Sequence, residues 1–144
     1  MQLYLRMLAT WGIIIPLLSI NLGCGQRGEK AHTTRGIVEL TDGDVAVLTG
    51  SHVELALQND TNQRASGFIG NDGAFTLETI HSGVVLKGVR EGIYRARIVP
   101  ADDDRAALKL AKEAVASRFL DFNKSGWLVR VPSDETITLA VSER

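Results

Sequence analysis

The sequence predicts a mainly β domain, built as a seven-stranded antiparallel sandwich with one inserted helix. Three observations lead to this fold class. Apolar and polar residues alternate over short runs, turn residues recur between the runs, and a single later segment has helical spacing instead. Because a half-buried sheet must cover its apolar face with another layer, we expect the strands to pack as two sheets.

The alternation is clearest in residues 51–58, where Val53, Leu55 and Leu57 point to one face and polar side chains to the other. The sequence Asn71-Asp72-Gly73 predicts a hairpin in which Gly73 adopts a positive φ, and residues 59–62 predict another polar turn. The predicted strands cover residues 36–40, 51–58, 64–69, 74–79, 93–100, 127–131 and 136–141.

Residues 102–118 have the spacing of a helix, since Leu108, Ala111, Val115 and Phe119 recur at intervals of three and four. The aspartates at 102–104 suit the N-terminus of that helix, where carboxylates accept bonds from free N–H groups and meet the positive end of the helix dipole. The predicted core consists of Val38, Leu40, Val53, Leu55, Leu57, Phe75, Leu77, Tyr94, Ile98, Val129, Ile137 and Leu139.

Composition narrows the possible partners. The chain has 144 residues with 16 basic and 17 acidic side chains, and this balance argues against a nucleic-acid partner, which needs a basic surplus to neutralise phosphates. A single cysteine excludes an internal disulfide framework and a multi-cysteine metal site.

The N-terminus reads as a targeting segment. Arg6 precedes an apolar run over residues 7–20, which is shorter than the roughly 20 residues needed to span a bilayer and fits a cleaved leader. The predicted organisation is a signal peptide at 1–23, a polar tether at 24–33 and the β domain at 34–144. The stretch from Gly25 to Thr33 reaches about 30 Å when fully extended, so the domain is expected to work close to its membrane.

The run Asn21-Leu22-Gly23-Cys24-Gly25 resembles the lipobox of bacterial lipoproteins. The resemblance implies that the sulfur of Cys24 receives a diacylglycerol, that the leader is removed just before it, and that the new N-terminus is acylated. It places the protein in the cell envelope, lipid-anchored to the outer or the cytoplasmic membrane, with its domain outside the cytoplasm. Asn21 departs from the aliphatic residue that the family prefers at that position.

A second resemblance covers residues 35–142 and concerns turn glycines and strand entries. The residues that carry it are Gly36, Asp42-Gly43, Leu48, Gly50, Val53, Leu55, Asp72-Gly73-Ala74-Phe75 and Gly92-x-Tyr94. In these residues the chain is similar to the carboxypeptidase regulatory-like domain. This family implies a transthyretin-like (prealbumin-like) sandwich that serves as a non-catalytic binding or scaffold module, with an envelope protein or a polysaccharide as its partner.

Local signals for catalysis are weak, and we predict no catalytic residue, metal or cofactor. Ser51-His52 and His81-Ser82 are adjacent pairs, which on a strand point to opposite faces and do not form a nucleophile with its base. Residues 42–44 and 102–104 carry aspartates that offer oxygen ligands for Ca²⁺, although turn formation and helix capping explain both clusters better.

Candidate ligand contacts lie on the strands. Arg95, Arg97 and Arg130, with Arg64, would form a stripe for an anionic ligand if their strands were neighbours, and ordinary edge charge is the alternative. Trp127 could stack on a sugar or simply pack at the rim of the core. An exposed aromatic contact would serve a carbohydrate- or peptidoglycan-binding module, and a metal-assisted envelope hydrolase is the alternative from a different class of protein.

Overall fold

A computed structural model describes residues 30–81 and 83–142 of the chain. The predicted signal peptide and Cys24 lie outside the described residues. The described chain is mainly β, with one α-helix and two short 3-10 helices. Its strands are β1 Ala31–His32, β2 Thr34–Leu40, β3 His52–Leu57, β4 Asp60–Phe68, β5 Ala74–His81, β6 Val84–Lys87, β7 Val89–Arg90, β8 Gly92–Val99, β9 Leu128–Val131 and β10 Ile137–Val141.

Eight of these strands form one connected sheet. Seven follow the order β10-β2-β5-β4-β3-β8-β9, and β6 pairs with the second half of β5. Strand β1 pairs separately with β7. The prediction of seven strands, all antiparallel, was therefore wrong in two respects: the described residues form ten strands, and β10 runs parallel to β2.

The apolar alternation directs one face of the sheet inward. Val141 on β10 and Val131 on β9, at the two ends of the sheet, belong to the same buried cluster as Leu55 on the central β3. The sheet therefore curves around a single core. All but three of the predicted core residues are buried, and the exceptions, Leu40, Leu57 and Ile137, are partly buried against that core.

The seven predicted strands are all present, but three additional strands have no clear signature in the sequence. Strand β6 exposes Val84 and Val85 in succession, so it lacks the alternation of a half-buried strand. Strands β1 and β7 have two residues each. Because Ala31–His32 pairs with Val89–Arg90, two residues of the predicted tether pair with the β domain.

The predicted turn at 59–62 is also corrected. Strand β4 begins at Asp60, which pairs with Leu57 on β3, so the two strands are joined by a tighter turn than the polar residues suggested. The other predicted hairpin is confirmed. Gly73 has a φ of 81°, and a Cβ at this position would lie 2.3 Å from the carbonyl oxygen of Val38, so both the backbone angle and the space require glycine.

The helix α1 spans Arg105–Ala114 and is shorter than predicted. The Asp104 side chain caps it by accepting a 2.7 Å bond from the N–H of Ala106. At its C-terminus the N–H of Ala116 donates instead to the carbonyl of Ser142, beyond β10. A 3-10 helix, Ser117–Leu120, follows and keeps Phe119 in the core.

Candidate functional site

The predicted arginine stripe is brought together by the sheet. Strands β4, β3, β8 and β9 are consecutive neighbours, and Arg64, Arg97, Arg95 and Arg130 point away from the core on them. In the register, Ala56 of β3 lies opposite both Arg64 and Arg95. The condition that the sequence left open, that these strands be neighbours, is met. We refer to these four arginines as the arginine face.

Glu54 lies at the centre of the arginine face and pairs with two of its members. Its Oε1 accepts from Arg64 at 2.9 Å, and its Oε2 accepts from Nε of Arg97 at 2.7 Å. Burial alone would raise the pKa of this carboxyl, but hydrogen bonds from Arg97 and Arg64, together with their charges, outweigh burial and hold the pKa below its ordinary value. Glu54 therefore stays ionised at neutral pH.

A loop packs over this network. The ring of Phe122 in this loop packs against two guanidinium groups, and its centroid lies 4.5 Å from Cζ of Arg97 and 5.6 Å from Cζ of Arg64. In the same loop, Asn123 accepts a hydrogen bond from Arg95 through its side-chain oxygen. The cluster is thus positioned from both sides, yet it sets four guanidinium groups against the single carboxylate of Glu54.

The remaining predicted contacts occupy different surroundings. Arg130 is exposed on β9, opposite Ile93 of β8. Trp127 is partly buried, and one face of its indole stacks on Phe119 with ring centroids 4.6 Å apart and an interplanar angle of 18°. One face of the indole is therefore used in packing. Of the two roles that the sequence allowed for Trp127, this contact corresponds to packing at the rim of the core and not to stacking on a sugar.

A second surface lies beside the arginine face, where β4 and β5 border an open groove of about 710 Å³. Phe68 forms one side of the groove, and Ile80 and Val85 form the other. Its floor includes Gly67, where a Cβ would lie only 2.2 Å from the carbonyl oxygen of Thr76, so the close approach of the two strands depends on this glycine.

Of the polar pairs considered for catalysis, Ser51-His52 is separated, and His81-Ser82 lies outside the residues whose side chains the structure describes. Ser51 is buried, and its hydroxyl accepts from the N–H of Ala101 at 3.1 Å, whereas the His52 ring lies on the outer face in edge contact with Phe68. This confirms that the two side chains point to opposite faces. His32, predicted to lie in the tether, is part of β1, and its carbonyl accepts from the hydroxyl of Thr34.

The aspartate clusters act in local capping. Asp44 accepts from the N–H of Ala46 at the start of the 3-10 helix Val45–Leu48, as Asp104 does for α1. Within residues 30–81 and 83–142, no group of three or more His, Cys, Asp or Glu side chains is placed to hold a metal ion. The helices of this part of the chain are all too short or too polar to cross a membrane.

Comparison with known proteins gave no match to a family model, a curated protein or a solved structure.

Sequence reasoning missed three residues of these surfaces. Glu54 was recognised as outward-facing, but its role depends on the register of β3 with β4 and β8, for which the sequence carries no local signal. Phe122 lies in a loop without periodicity. Phe68 had a usable signal, since the alternation of β4 buries Ala65 and Gly67 and so directs Phe68 outward.

Proposed function

We propose that this protein is a cell-envelope lipoprotein, fastened to a membrane through Cys24, whose β domain is a non-catalytic binding module. The arrangement of the arginine face is the observation that carries the binding role. Four arginines from three strands share one outer face of the sheet, where Glu54 pairs with Arg64 and Arg97 but not with Arg95 or Arg130 in the contacts described, and such a surplus of guanidinium groups suits a partner that carries anionic groups.

The anchor rests on the sequence. The apolar leader, the small residue Gly23 and the only thiol of the chain, Cys24, stand in the order that lipid attachment requires. Two or more acyl chains hold a protein stably on a bilayer, whereas one chain binds only marginally. The described domain begins at Ala31, seven residues beyond Cys24, which keeps it near the membrane surface.

We propose further that the domain is a transthyretin-like sandwich. Strands β10, β2 and the first half of β5 form one group, and β4, β3, β8 and β9 form the other, while their inward faces share one core. This division supports two packed layers that are joined through β5. A solved structure of the domain tests this assignment directly.

The anchor is tested by the substitution Cys24→Ser, which removes the thiol that would carry the lipid. We expect incorporation of labelled palmitate to be lost and the protein to leave the membrane fraction, because no other thiol exists in the chain. The measurement is radiolabelling followed by membrane fractionation, with unsubstituted protein as the control. Equal palmitate incorporation in both proteins would contradict the anchor.

The binding role is tested by reversing charge at Arg95 and Arg130, which do not pair with Glu54 in the network described above. We expect the Arg95→Glu/Arg130→Glu variant to bind dextran sulfate about tenfold more weakly and with less dependence on salt, because anionic partners are held and steered by these charges. Uncharged dextran distinguishes charge recognition from general sugar binding.

The matched control is Arg105→Glu combined with Lys112→Glu on α1, which reverses two exposed cations outside the arginine face and so changes the net charge by the same amount. This control should keep the affinity of the unsubstituted protein for dextran sulfate. Equal losses in the control and the Arg95→Glu/Arg130→Glu variant would mean that binding follows net charge and not this surface.

An anionic envelope polysaccharide is the partner that fits these charges. With such a partner, the binding module would also be the carbohydrate-binding module considered as an alternative. An acidic envelope protein would use the same arginines. Binding of dextran sulfate that depends on Arg95 and Arg130, and that acidic peptides of equal charge do not displace, would favour the polysaccharide.

A further inference from the structure

Exposed apolar side chains are concentrated at one place on the described domain. Phe68, Ile80, Val84 and Val85 are 76%, 68%, 59% and 54% exposed, and they are four of the seven large apolar residues exposed in the described part of the chain. We call these four residues the apolar patch. Soluble surfaces rarely gather apolar groups in this way without a binding role.

The patch is built on a hairpin with apolar residues on both faces. Ile80 of β5 pairs with Val85 of β6, and both point to the groove whose other side is Phe68. Val84 points to the opposite face of the same hairpin, yet it is exposed as well. This end of the hairpin therefore projects beyond the core, which would otherwise cover Val84.

The chain enters the domain close to this hairpin. Ala31 pairs with Arg90, and Arg90 lines one small cavity together with Ile80 and Thr79. Cys24 precedes Ala31 by seven residues, which span at most about 23 Å when fully extended. A lipid on Cys24 would thus hold the membrane near this end of the molecule.

The charges around the patch suit the same surface. Lys87 is exposed on β6 on the face of Val85, and Arg35 is exposed on β2 opposite Thr76 of the groove. Lys30 is exposed where the chain enters. The residues that line the groove include one carboxylate, Glu78. Cations that flank apolar side chains are typical of surfaces that rest on anionic lipid headgroups.

We propose that the apolar patch inserts into the interfacial region of the bilayer to which Cys24 is attached, and so orients the domain on its membrane. This inference rests on the proposed lipid anchor. It identifies the occupant as the lipid surface because the short chain after Cys24 brings the patch and the bilayer together. The arginine face consists of other side chains on β4, β8 and β9, and it borders the patch where Arg64 lines one small cavity with Ile80.

The test places a fluorescent label on single cysteines in the full lipidated protein. In that protein Cys24 is acylated, so a cysteine introduced by Phe68→Cys or Val85→Cys is the only free thiol. Each labelled protein is reconstituted into vesicles of phosphatidylethanolamine and phosphatidylglycerol. Quenching is measured with lipids brominated near the headgroup end of their acyl chains and, separately, with aqueous iodide.

Leu110→Cys is the matched control, because Leu110 on α1 is 55% exposed and Val85 is 54% exposed, but Leu110 does not line the groove. We expect labels at positions 68 and 85 to be quenched several-fold more by the brominated lipids than the label at position 110, and less by iodide. These substitutions change exposed side chains, so folding should be preserved.

Three results would overturn the proposal. Equal iodide access at all three positions, with palmitate present on Cys24, would refute membrane contact and leave the anchor intact. Protection from iodide without quenching by brominated lipids would identify a protein partner or a second copy of the chain as the occupant. Absence of palmitate on Cys24 would refute the anchor, and this inference with it.

Discussion

At the scale of single residues, Glu54 shows how one side chain organises a surface. It is a charged residue on the outer face of a central strand, with only 14% of its side chain exposed. Burying a carboxylate is unfavourable unless it is paired, and here Arg64 and Arg97 supply the pairing. Glu54 on β3 thus holds two arginines, whose charges would otherwise repel, on the two strands that flank it, β4 and β8.

The substitution Glu54→Gln should lower the free energy of unfolding by about 1–2 kcal/mol at neutral pH, because it removes charge-assisted hydrogen bonds. The pKa of Glu54 is lower in the folded state than its ordinary value of 4.5, so its contribution is fully present above that value. The contribution is lost as the pH falls through the lowered pKa. The destabilisation by Gln should therefore shrink as the pH falls below 4.5.

Urea unfolding at neutral pH and at a series of pH values below 4.5 measures this effect. Glu39→Gln is the control, since Glu39 is exposed on β2 and outside the arginine network. A loss at Glu54 that is independent of pH would contradict the role of its ionised form.

At the scale of secondary-structure elements, β1 is the clearest departure from the sequence prediction. Two residues of the expected tether form a strand against β7, and the carbonyl of His32 accepts from Thr34 in the approach to β2. A Cβ on Gly88 would lie 2.4 Å from that same carbonyl oxygen, so the packing of β1 depends on this glycine. The contacts make β1 part of the folded domain.

A chain that begins at Thr33 should therefore be less stable than one that begins at Lys30. We expect the loss to be about 1–2 kcal/mol, because the shorter chain lacks the hydrogen bonds of the β1–β7 pair and uncovers Val89. Far-UV circular dichroism should stay dominated by β-structure in both chains. Equal midpoints in urea would show that β1 adds nothing to the stability of the domain.

At the scale of the whole molecule, the curved sheet separates three tasks. Its inner face forms one core, the outer face of β4, β8 and β9 presents the arginines, and the β5–β6 hairpin together with Phe68 at the end of β4 presents the apolar patch near the entry of the chain. In the proposed arrangement the lipid and the patch hold the domain on its membrane from one end. The arginine face is then free to meet an anionic partner.

Local patterns in the sequence were enough to predict the mainly β class, seven of the ten described strands, the Gly73 turn and most of the core. Each depends on neighbours along the chain, because alternation marks a strand with one buried face and Asn-Asp-Gly marks a tight turn. The same reasoning extended α1 to residue 118, since the apolar spacing continues through Val115 and Phe119. In the structure α1 ends at Ala114, and the N–H of Ala116 bonds to the carbonyl of Ser142, which lies far along the chain.

The sequence by itself determined that strands with one apolar face would form around a core, and it indicated which arginines would point outward. Only the tertiary structure decided that β4, β3, β8 and β9 are neighbours, that Glu54 lies between Arg64 and Arg97, and that Phe68 faces Ile80 and Val85 across a groove. The physical reason is that the period of a strand selects the face of each side chain, whereas strand order and register follow from how all the apolar faces are buried together.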